Sequence, residues 1–325
     1  MNLNGKTQLL PLYACEVMKV AVTGGAGFIG SNLVQRLCLE GYEVLVIDDF
    51  STGLMSNIEK YDCKIAKVSI LEKSDLEKAL LGSEYIFHLA AVGSVPRSIK
   101  QPEKAISVNT IGTFNVLEFA RKTGISVLFS SSSSVYGLNQ ELPKKEKMWT
   151  QPLSPYAASK LGAEALVTSY NHSYAMANLV LRFFNVYGPK QRSDHDYAAV
   201  IPKWIRQGIQ GKTIEIFGDG SATRDFTYVD IVVDIMIKAL ERKITHDTPI
   251  NVATGNSIQL LELIDELKKS FGSLSIRHSK ERVGDVKNSQ NDPTLLNKIF
   301  PNLELVSFRE GLSKTIEWNR ENANF

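Results

Sequence analysis

Tyr156 and Lys160 stand four residues apart in Tyr156-Ala157-Ala158-Ser159-Lys160. On a helix that spacing puts both side chains on one face. A tyrosine at its ordinary pKa is a poor base at neutral pH. A lysine ammonium and an oxidised nicotinamide beside it would stabilise the phenolate, which could then accept a hydroxyl proton. Upstream lies a serine run, Ser130 to Ser134, before Val135-Tyr136-Gly137. Ser132 could bridge the tyrosine to a substrate hydroxyl, and Ser133 is its close rival. This set of groups oxidises an alcohol by taking its proton, and it needs a partner to take the hydride.

A site for that partner is written near the start of the chain. Gly24-Gly25-Ala26-Gly27-Phe28-Ile29-Gly30 follows the short apolar run Lys19 to Thr23 and opens a helical pattern through Leu33, Val34 and Leu37. At a strand-to-helix turn, one glycine permits the tight bend and another lets the backbone approach a pyrophosphate. The third lets helix and strand pack closely, and the helix N-terminus attracts the phosphates. A second apolar run, Glu43 to Ile47, ends at Asp48-Asp49-Phe50-Ser51. Asp48 can accept hydrogen bonds from a ribose 2′-hydroxyl and would repel a 2′-phosphate, and no Arg or Lys adjoins it. The expected cofactor is therefore NAD rather than NADP.

The elements that must hold these residues follow a simple rhythm. Further buried-strand candidates are Lys64–Val68, Tyr85–His88, Val127–Ser130 and Leu179–Phe183, with helical stretches between most of them. Strands alternating with helices predict βαβ units, so the fold class is α/β, a doubly wound parallel sheet of the Rossmann type. Ser154-Pro155 is a helix-start signal that places Tyr156 in the first turn. After Asn185 the alternation loosens. The expected division is an N-terminal extension at 1–17, a cofactor domain at 18–185 and a smaller C-terminal α/β substrate domain at 186–325. The stretch 227–255 is expected to return to the first domain, with Val229 to Leu240 helical.

Composition narrows the remaining choices. The 325 residues are 43% hydrophobic and 22% charged, with 37 Lys+Arg against 35 Asp+Glu for a net charge of +2. That balance predicts neither a nucleic-acid partner nor a membrane surface. Cys15, Cys38 and Cys63 show no pairing or metal-type spacing and read as reduced cytoplasmic thiols. No apolar stretch is long enough to span a bilayer, and residues 1–17 lack a signal-peptide pattern. His88, before Leu89-Ala90-Ala91, has no second ligand near it, so it is expected to pack or to wall the cofactor site. Neither a metal site nor a Ser-His-Asp arrangement is expected.

Taken together, Val22 to Ser31, His88 to Ala91, Asn109-Thr110-Ile111-Gly112-Thr113, Tyr156 to Lys160, Arg182 to Pro189 and Arg224-Asp225-Phe226 resemble the signatures of the extended short-chain dehydrogenase/reductase family. The likeness runs from about Met18 to the end of the chain. Within that family it is strongest to UDP-sugar 4-epimerases, and particularly to the bacterial branch acting on UDP-N-acetylglucosamine and UDP-N-acetylgalactosamine. Gly93-Ser94-Val95-Pro96-Arg97-Ser98 and Tyr197 to Trp204 carry the closer likeness.

The resemblance implies cofactor contacts from Gly24, Gly27, Phe28, Ile29, Gly30, Asp48, Asp49 and Ser51. It adds Ser69, Ile70, Leu89, Ala90, Ala91, Asn109, Tyr156 and Lys160. Many relatives have an aspartate where this chain has Ser69, so the adenine contact there departs from the family's pattern. For a UDP-sugar it implies Gly93, Ser94, Ser132, Ser133 and Asn185, the last on the diphosphate. Gln191, Ala199 and Val200 would line the sugar and uridine region. Arg224 and Arg282 would hold the phosphates, with Asp285 on the uridine ribose; guanidinium forks suit phosphates and a carboxylate suits vicinal hydroxyls. Ser289 would stand beside the sugar C2 substituent, where a serine leaves room for an acetamido group. The family also implies a homodimer through helices spanning Tyr156–Tyr170 and Glu103–Lys122, meeting as a four-helix bundle.

Two rivals share parts of this pattern. A nucleotide-sugar dehydratase or decarboxylase begins with the same oxidation but needs a further acid or base. Dehydratase relatives carry Asp-Glu before Val-Tyr-Gly, and this chain has Ser133-Ser134 there. A uronic acid 4-epimerase uses the same residues on another sugar. A non-catalytic nucleotide sensor would not need Tyr156 and Lys160.

Overall fold

Lys19–Thr23 form strand β1, and Val20, Ala21, Val22 and Thr23 are all fully buried. Alternate residues of that strand enter different cores. Val20 and Val22 pack with Leu33, Val34 and Leu37, whereas Ala21 packs with Leu76, Val116 and Val167. A strand buried on both faces belongs in the centre of a layered α/β structure. The computed structural model describes residues 17–194, 198–280 and 288–322.

Around β1 the order along the chain is α1 (Phe28–Leu39), β2 (Glu43–Ile47), β3 (Cys63–Ala66), α2 (Lys73–Leu80) and β4 (Tyr85–His88). Then come α3 (Val95–Lys100), α4 (Pro102–Ile106), a π turn at Ser107–Gly112, α5 (Thr113–Thr123) and β5 (Ser126–Ser132). A 3₁₀ turn at Ser133–Tyr136, α6 (Pro155–Tyr174) and β6 (Leu179–Phe183) follow. The second half contains β7 (Val186–Tyr187), α7 (Val200–Ile209), β8 (Ile214–Phe217), β9 (Thr223–Asp225), β10 (Thr227–Tyr228) and α8 (Val229–Glu241). It ends with β11 (Ile250–Val252), β12 (Ser257–Gln259), α9 (Leu260–Phe271), β13 (Ile276–Ser279), α10 (Thr294–Ile299) and α11 (Phe308–Glu321).

Seven strands form one sheet in the order β11-β6-β5-β4-β1-β2-β3, every neighbouring pair parallel. The doubly wound parallel sheet is thus what the alternation implied. The strand order reverses between β1 and β4. The crevice beyond their carboxyl ends is where such sheets bind ligands. Three two-stranded pairs, β10-β7, β12-β9 and β13-β8, build the second lobe. The larger core runs without a break from α1 and β1 into Trp204, Ile205, Ile214, Ile216 and Leu263 of that lobe.

Two local expectations need correcting. The strand expected at Lys64–Val68 runs from Cys63 to Ala66. Its pairing with β2 stops opposite Ile47, where Asp48 N donates to Ala66 O and Val68 N turns back onto the same carbonyl. The single helix expected over Glu103–Lys122 is α4 and α5 joined by the π turn Ser107–Gly112. A π turn adds a residue to the helical round and is common where a side chain must be aimed.

Candidate active site

The helix bearing Tyr156 starts where Ser154-Pro155 said it would. Ser154 Oγ accepts a hydrogen bond from Ala157 N at 3.1 Å, and Pro155 occupies the first helical position. Such a cap is worth about 1 kcal/mol. A second tie comes from α3, whose Ser98 Oγ accepts from Tyr156 N at 3.0 Å. Tyr156 and Lys160 therefore project together from the first turns of α6 into a cavity of about 520 Å³, a usual size for a ligand pocket.

The Tyr156 side chain hydrogen-bonds to that of Ser132. Ser132 Oγ also accepts from Ser134 N at 3.2 Å. Ser130, Ser131 and Ser132 line the cavity and Ser133, the rival candidate, does not. Strand register decides this, since Ser132 is the last residue of β5 and Ser133 begins the 3₁₀ turn. Lys160 Nζ donates to Ser130 O at 2.8 Å. Burial lowers the Lys160 pKa to about 7. Burial also raises that of Tyr156, against the pull of the Ser132 hydrogen bond. The stabilisation expected from the sequence named both the lysine ammonium and an oxidised nicotinamide, and the burial of the tyrosine is the cost those two charges would offset.

His88 packs and takes no part in the cavity wall. Its ring nitrogens face Thr23 Oγ1 at 2.7 Å and Thr113 Oγ1 at 2.9 Å. Burial, reinforced by Lys160, lowers its pKa to about 3. It is thus neutral at any working pH and holds β1, β4 and α5 together.

The glycine turn fits a dinucleotide. Gly24 sits at φ +70°, and a Cβ there would meet Ala90 N at 2.7 Å. A Cβ on Gly30 would overlap the Gly24 carbonyl. On Gly27, by contrast, a Cβ would meet only Gly24 O, at 3.2 Å. Apart from that tight contact, no other atom stands within 4 Å of the added Cβ, which is room of the kind a phosphate needs at a helix N-terminus. Phe28, Ile29 and Gly30 line the larger cavity with Gly93 and Ser94.

A smaller chamber adjoins it, lined by Asp48, Asp49, Ser51, Ser69, Ile70 and Ala90. Leu89 and Ala91 line both. Asp48 Oδ2 accepts from Ala26 N at 3.0 Å and Oδ1 from Phe50 N at 2.8 Å. Burial raises its pKa and those two donors oppose the rise. Each oxygen keeps a lone pair for a ribose hydroxyl.

Asn109 is placed differently from the expectation of a direct cofactor contact. It is 1% exposed and absent from both chambers. Its Oδ1 accepts from Val92 N at 2.7 Å and its Nδ2 donates to Ser159 Oγ at 2.8 Å. The π turn aims it at the backbone after β4 and at α6, so it positions both walls of the cleft.

On the second lobe, Asn185, Gln191 and Ala199 line the larger cavity. Gln191 Nε2 donates to Val186 O at 3.1 Å, while its buried Oε1 has no partner among the described residues. Asn185 Nδ2 donates to Asp225 O at 3.0 Å and to Ser289 Oγ at 3.3 Å, which sets Ser289 directly beside a wall residue. Val200 and Arg224 are not in the wall themselves; Arg224 lies on β9 with Nη1 bonded to Thr223 O at 2.8 Å. Arg282 and Asp285 lie outside the described residues.

Sequence reasoning missed Thr52, Phe183, Val186 and Arg192 in the wall. Phe183 and Val186 lie within the Arg182–Pro189 signature, and the only signal for Thr52 and Arg192 was proximity in the chain to Asp48 and Gln191. Among the described residues no Asp or Glu lines the larger cavity, and no group of three or more His, Cys, Asp or Glu could hold a metal ion. No helix among them is long and apolar enough to cross a membrane.

Known proteins carry the same plan. A family model described as the NAD dependent epimerase/dehydratase family matches residues 20–253. The UDP-glucose 4-epimerase of Mycolicibacterium smegmatis is 36% identical over 312 residues, covering 93% of this chain and 99% of that protein. A UDP-N-acetylglucosamine 4-epimerase from Methanobrevibacter ruminantium M1, solved with UDP-N-acetylmuramic acid, is 37% identical with a TM-score of 0.89. That match covers 94% of this chain and 99% of that one. A UDP-glucuronic acid 4-epimerase from Bacillus cereus, solved with UDP-glucuronic acid and NAD, is 31% identical with a TM-score of 0.86, covering 94% and 100%. Matched over most of its length by the family and nearly end to end by these relatives, the chain belongs to the NAD dependent epimerase/dehydratase family and takes NAD as its cofactor.

Proposed function

We propose that the chain interconverts the C4 epimers of a UDP-hexose, with UDP-N-acetylglucosamine and UDP-N-acetylgalactosamine as its pair. The observation that carries this reading is the composition of the larger cavity. Tyr156, Ser132 and Lys160 stand in its wall, and no carboxylate does among the described residues. Loss of water or of carbon dioxide needs an additional acid or base; the nearby Glu164 is already committed to Arg182 at 2.5 Å, both 5% exposed.

In this reading Tyr156 Oη takes the proton of the sugar C4 hydroxyl, and Ser132 Oγ orients that hydroxyl through the hydrogen bond it shares with the tyrosine. NAD, held at the glycine turn and Asp48, would supply hydride-transfer chemistry at C4 when bound. Lys160 lies in the same wall, where its ammonium and a developing tyrosinate stabilise one another. Asn185 and Gln191 bind the nucleotide sugar, the latter through the Oε1 that has no partner among the described residues. Arg224, Arg282 and Asp285 hold the UDP. After the 4-keto sugar turns within the cavity, Tyr156 returns the proton. Incubation with a panel of UDP-sugars and separation of the products tests the reading. Epimers of unchanged mass support it, whereas products lighter by water or carbon dioxide contradict it.

Sugar size is set beside Asn185. Ser289 Oγ accepts from Asn185 Nδ2, and its backbone is fixed by Ser289 N donating to Thr223 O at 3.1 Å. A tyrosine grown from this fixed position must push toward Asn185 and the cavity. A small steric change discriminates by roughly 1–3 kcal/mol, or about 10- to 200-fold. Ser289→Tyr is expected to depress kcat/KM for UDP-N-acetylglucosamine by about that factor and to spare UDP-glucose. Wild type should turn over UDP-glucose and UDP-galactose more slowly than the acetylated pair. Equal loss on both sugars, or a wild type active only on the non-acetylated pair, contradicts this.

The same reading makes the protein a cytoplasmic homodimer through α4, α5 and α6. Leu117 is buried under the sheet, but Ile99, Ile111 and Phe114 are 63%, 51% and 37% exposed on elements packed around α6, where Ala165 is also exposed. Apolar side chains clustered this way are what a helical dimer face covers. Sedimentation at micromolar concentration should give a dimer, and Phe114→Glu should shift it toward monomer. A wild-type monomer contradicts the assignment.

A further inference from the structure

The two chambers of the cleft share six wall residues: Gly24, Gly27, Thr52, Leu89, Ala91 and Arg97. The shared wall is the junction where the glycine turn stands. The diphosphate of a dinucleotide must lie there, since its adenosine and nicotinamide halves occupy different chambers. A diphosphate brings about two negative charges, and the N-terminus of α1 offsets only about half a charge. The first turn of α1 contains no basic residue. Among the shared wall residues Arg97 is the only cation.

Other arginines near the cleft have partners. Arg182 is paired with Glu164, and Arg192 with Asp194 at 2.7 Å and with Thr52 O at 3.1 Å. Arg97 is only partly exposed, and its guanidinium meets no partner among the described residues. With no acceptor among the described residues and a place on the wall of both chambers, its guanidinium donors are available to an anion bound at the junction. Its mount is rigid. Arg97 N donates to Ser94 Oγ at 3.4 Å, Arg97 O accepts from Gln101 N at 2.8 Å, and the next residue, Ser98, accepts from Tyr156 N.

We infer that Arg97 binds the diphosphate of NAD from α3, so that the cofactor is gripped by the glycine turn and by a cation mounted beside the tyrosine. The inference rests on NAD being the cofactor and not on the identity of the sugar. A charge-assisted hydrogen bond to phosphate is worth about 1.5–3 kcal/mol, or roughly 10- to 150-fold in affinity.

The test measures NAD bound per chain after extended dialysis of wild type, Arg97→Lys and Arg97→Gln, and the NAD concentration that restores half occupancy. It also measures displacement of bound NAD by ADP and by adenosine. Arg97→Gln should raise the NAD concentration for half occupancy about tenfold or more, and Arg97→Lys should recover most of that loss. ADP should become a weaker competitor in Arg97→Gln by a similar factor, while adenosine is unchanged. The inference fails if NAD occupancy is unaltered in Arg97→Gln, or if ADP and adenosine weaken equally, since a merely structural role would move both. Because the readout is cofactor binding, failure here leaves epimerase turnover untouched, and absence of turnover leaves this result standing.

Discussion

Replacement of Tyr156 by Phe is expected to lower epimerisation by about 10²- to 10⁴-fold, the range for loss of a positioned general base. The substitution removes one oxygen and leaves the ring, so packing at the start of α6 is kept. The tyrosine backbone remains tied to Ser98, and the cap at Ser154 is unchanged. Bound NAD should stay near the wild-type amount, and KM for the UDP-sugar should change little. That combination marks an interaction used in the transition state rather than in binding. Turnover measured beside NAD content separates the two. Near-normal turnover in Tyr156→Phe would remove the tyrosine from the chemistry. A parallel fall in NAD content would make its role structural.

Replacement of Lys160 by Met is expected to be the second most damaging change. Two contributions go at once, the donor to Ser130 O and the only positive charge beside Tyr156 within the catalytic group. In the proposed reaction the charge offsets two costs of burial. Burial raises the pKa of the tyrosine and lowers that of the lysine to about 7, so each charged form is costly alone. A phenolate next to an ammonium offsets both costs, and the pair titrates as a unit. Activity requires the deprotonated tyrosine, so it falls on the acid side. Without the cation the tyrosine holds its proton to higher pH, and the acid limb of the kcat profile should move upward. Lys160→Met should therefore lose more activity at pH 7 than at pH 9. An unshifted limb with a uniform loss would show that the lysine acts by support alone.

Much of this site was legible because its groups are local in the chain. The glycine turn needs close approaches within seven residues and to a neighbouring strand, and the sequence carries that need as Gly24, Gly27 and Gly30. Tyr156 and Lys160 are fixed by helical spacing and by a start signal two residues upstream. The sheet followed from apolar runs alternating with helices.

What stayed illegible depends on contacts between distant segments. Ser132 is separated from Ser133 only by where β5 ends. Asn109 looks like a cofactor ligand in the chain, but a π turn carries it under Val92 and onto Ser159. The helical periodicity of Glu103–Lys122 could not reveal that turn, since an added residue shifts its phase without removing the apolar face. Arg97 stands in the sequence only as part of the Gly93–Ser98 segment, with no role of its own, and the meeting of two chambers gives it a place.

The central claim is that C4 is oxidised and reduced again within one cavity, with nothing lost from the sugar. The most direct measurement uses UDP-N-acetylglucosamine carrying deuterium on C4, incubated with the enzyme as purified and analysed by mass after separation of the epimers. The account predicts UDP-N-acetylgalactosamine of the same mass with the deuterium still on C4. A product that has lost water or carbon dioxide, or an epimer whose deuterium has exchanged with solvent, would contradict it.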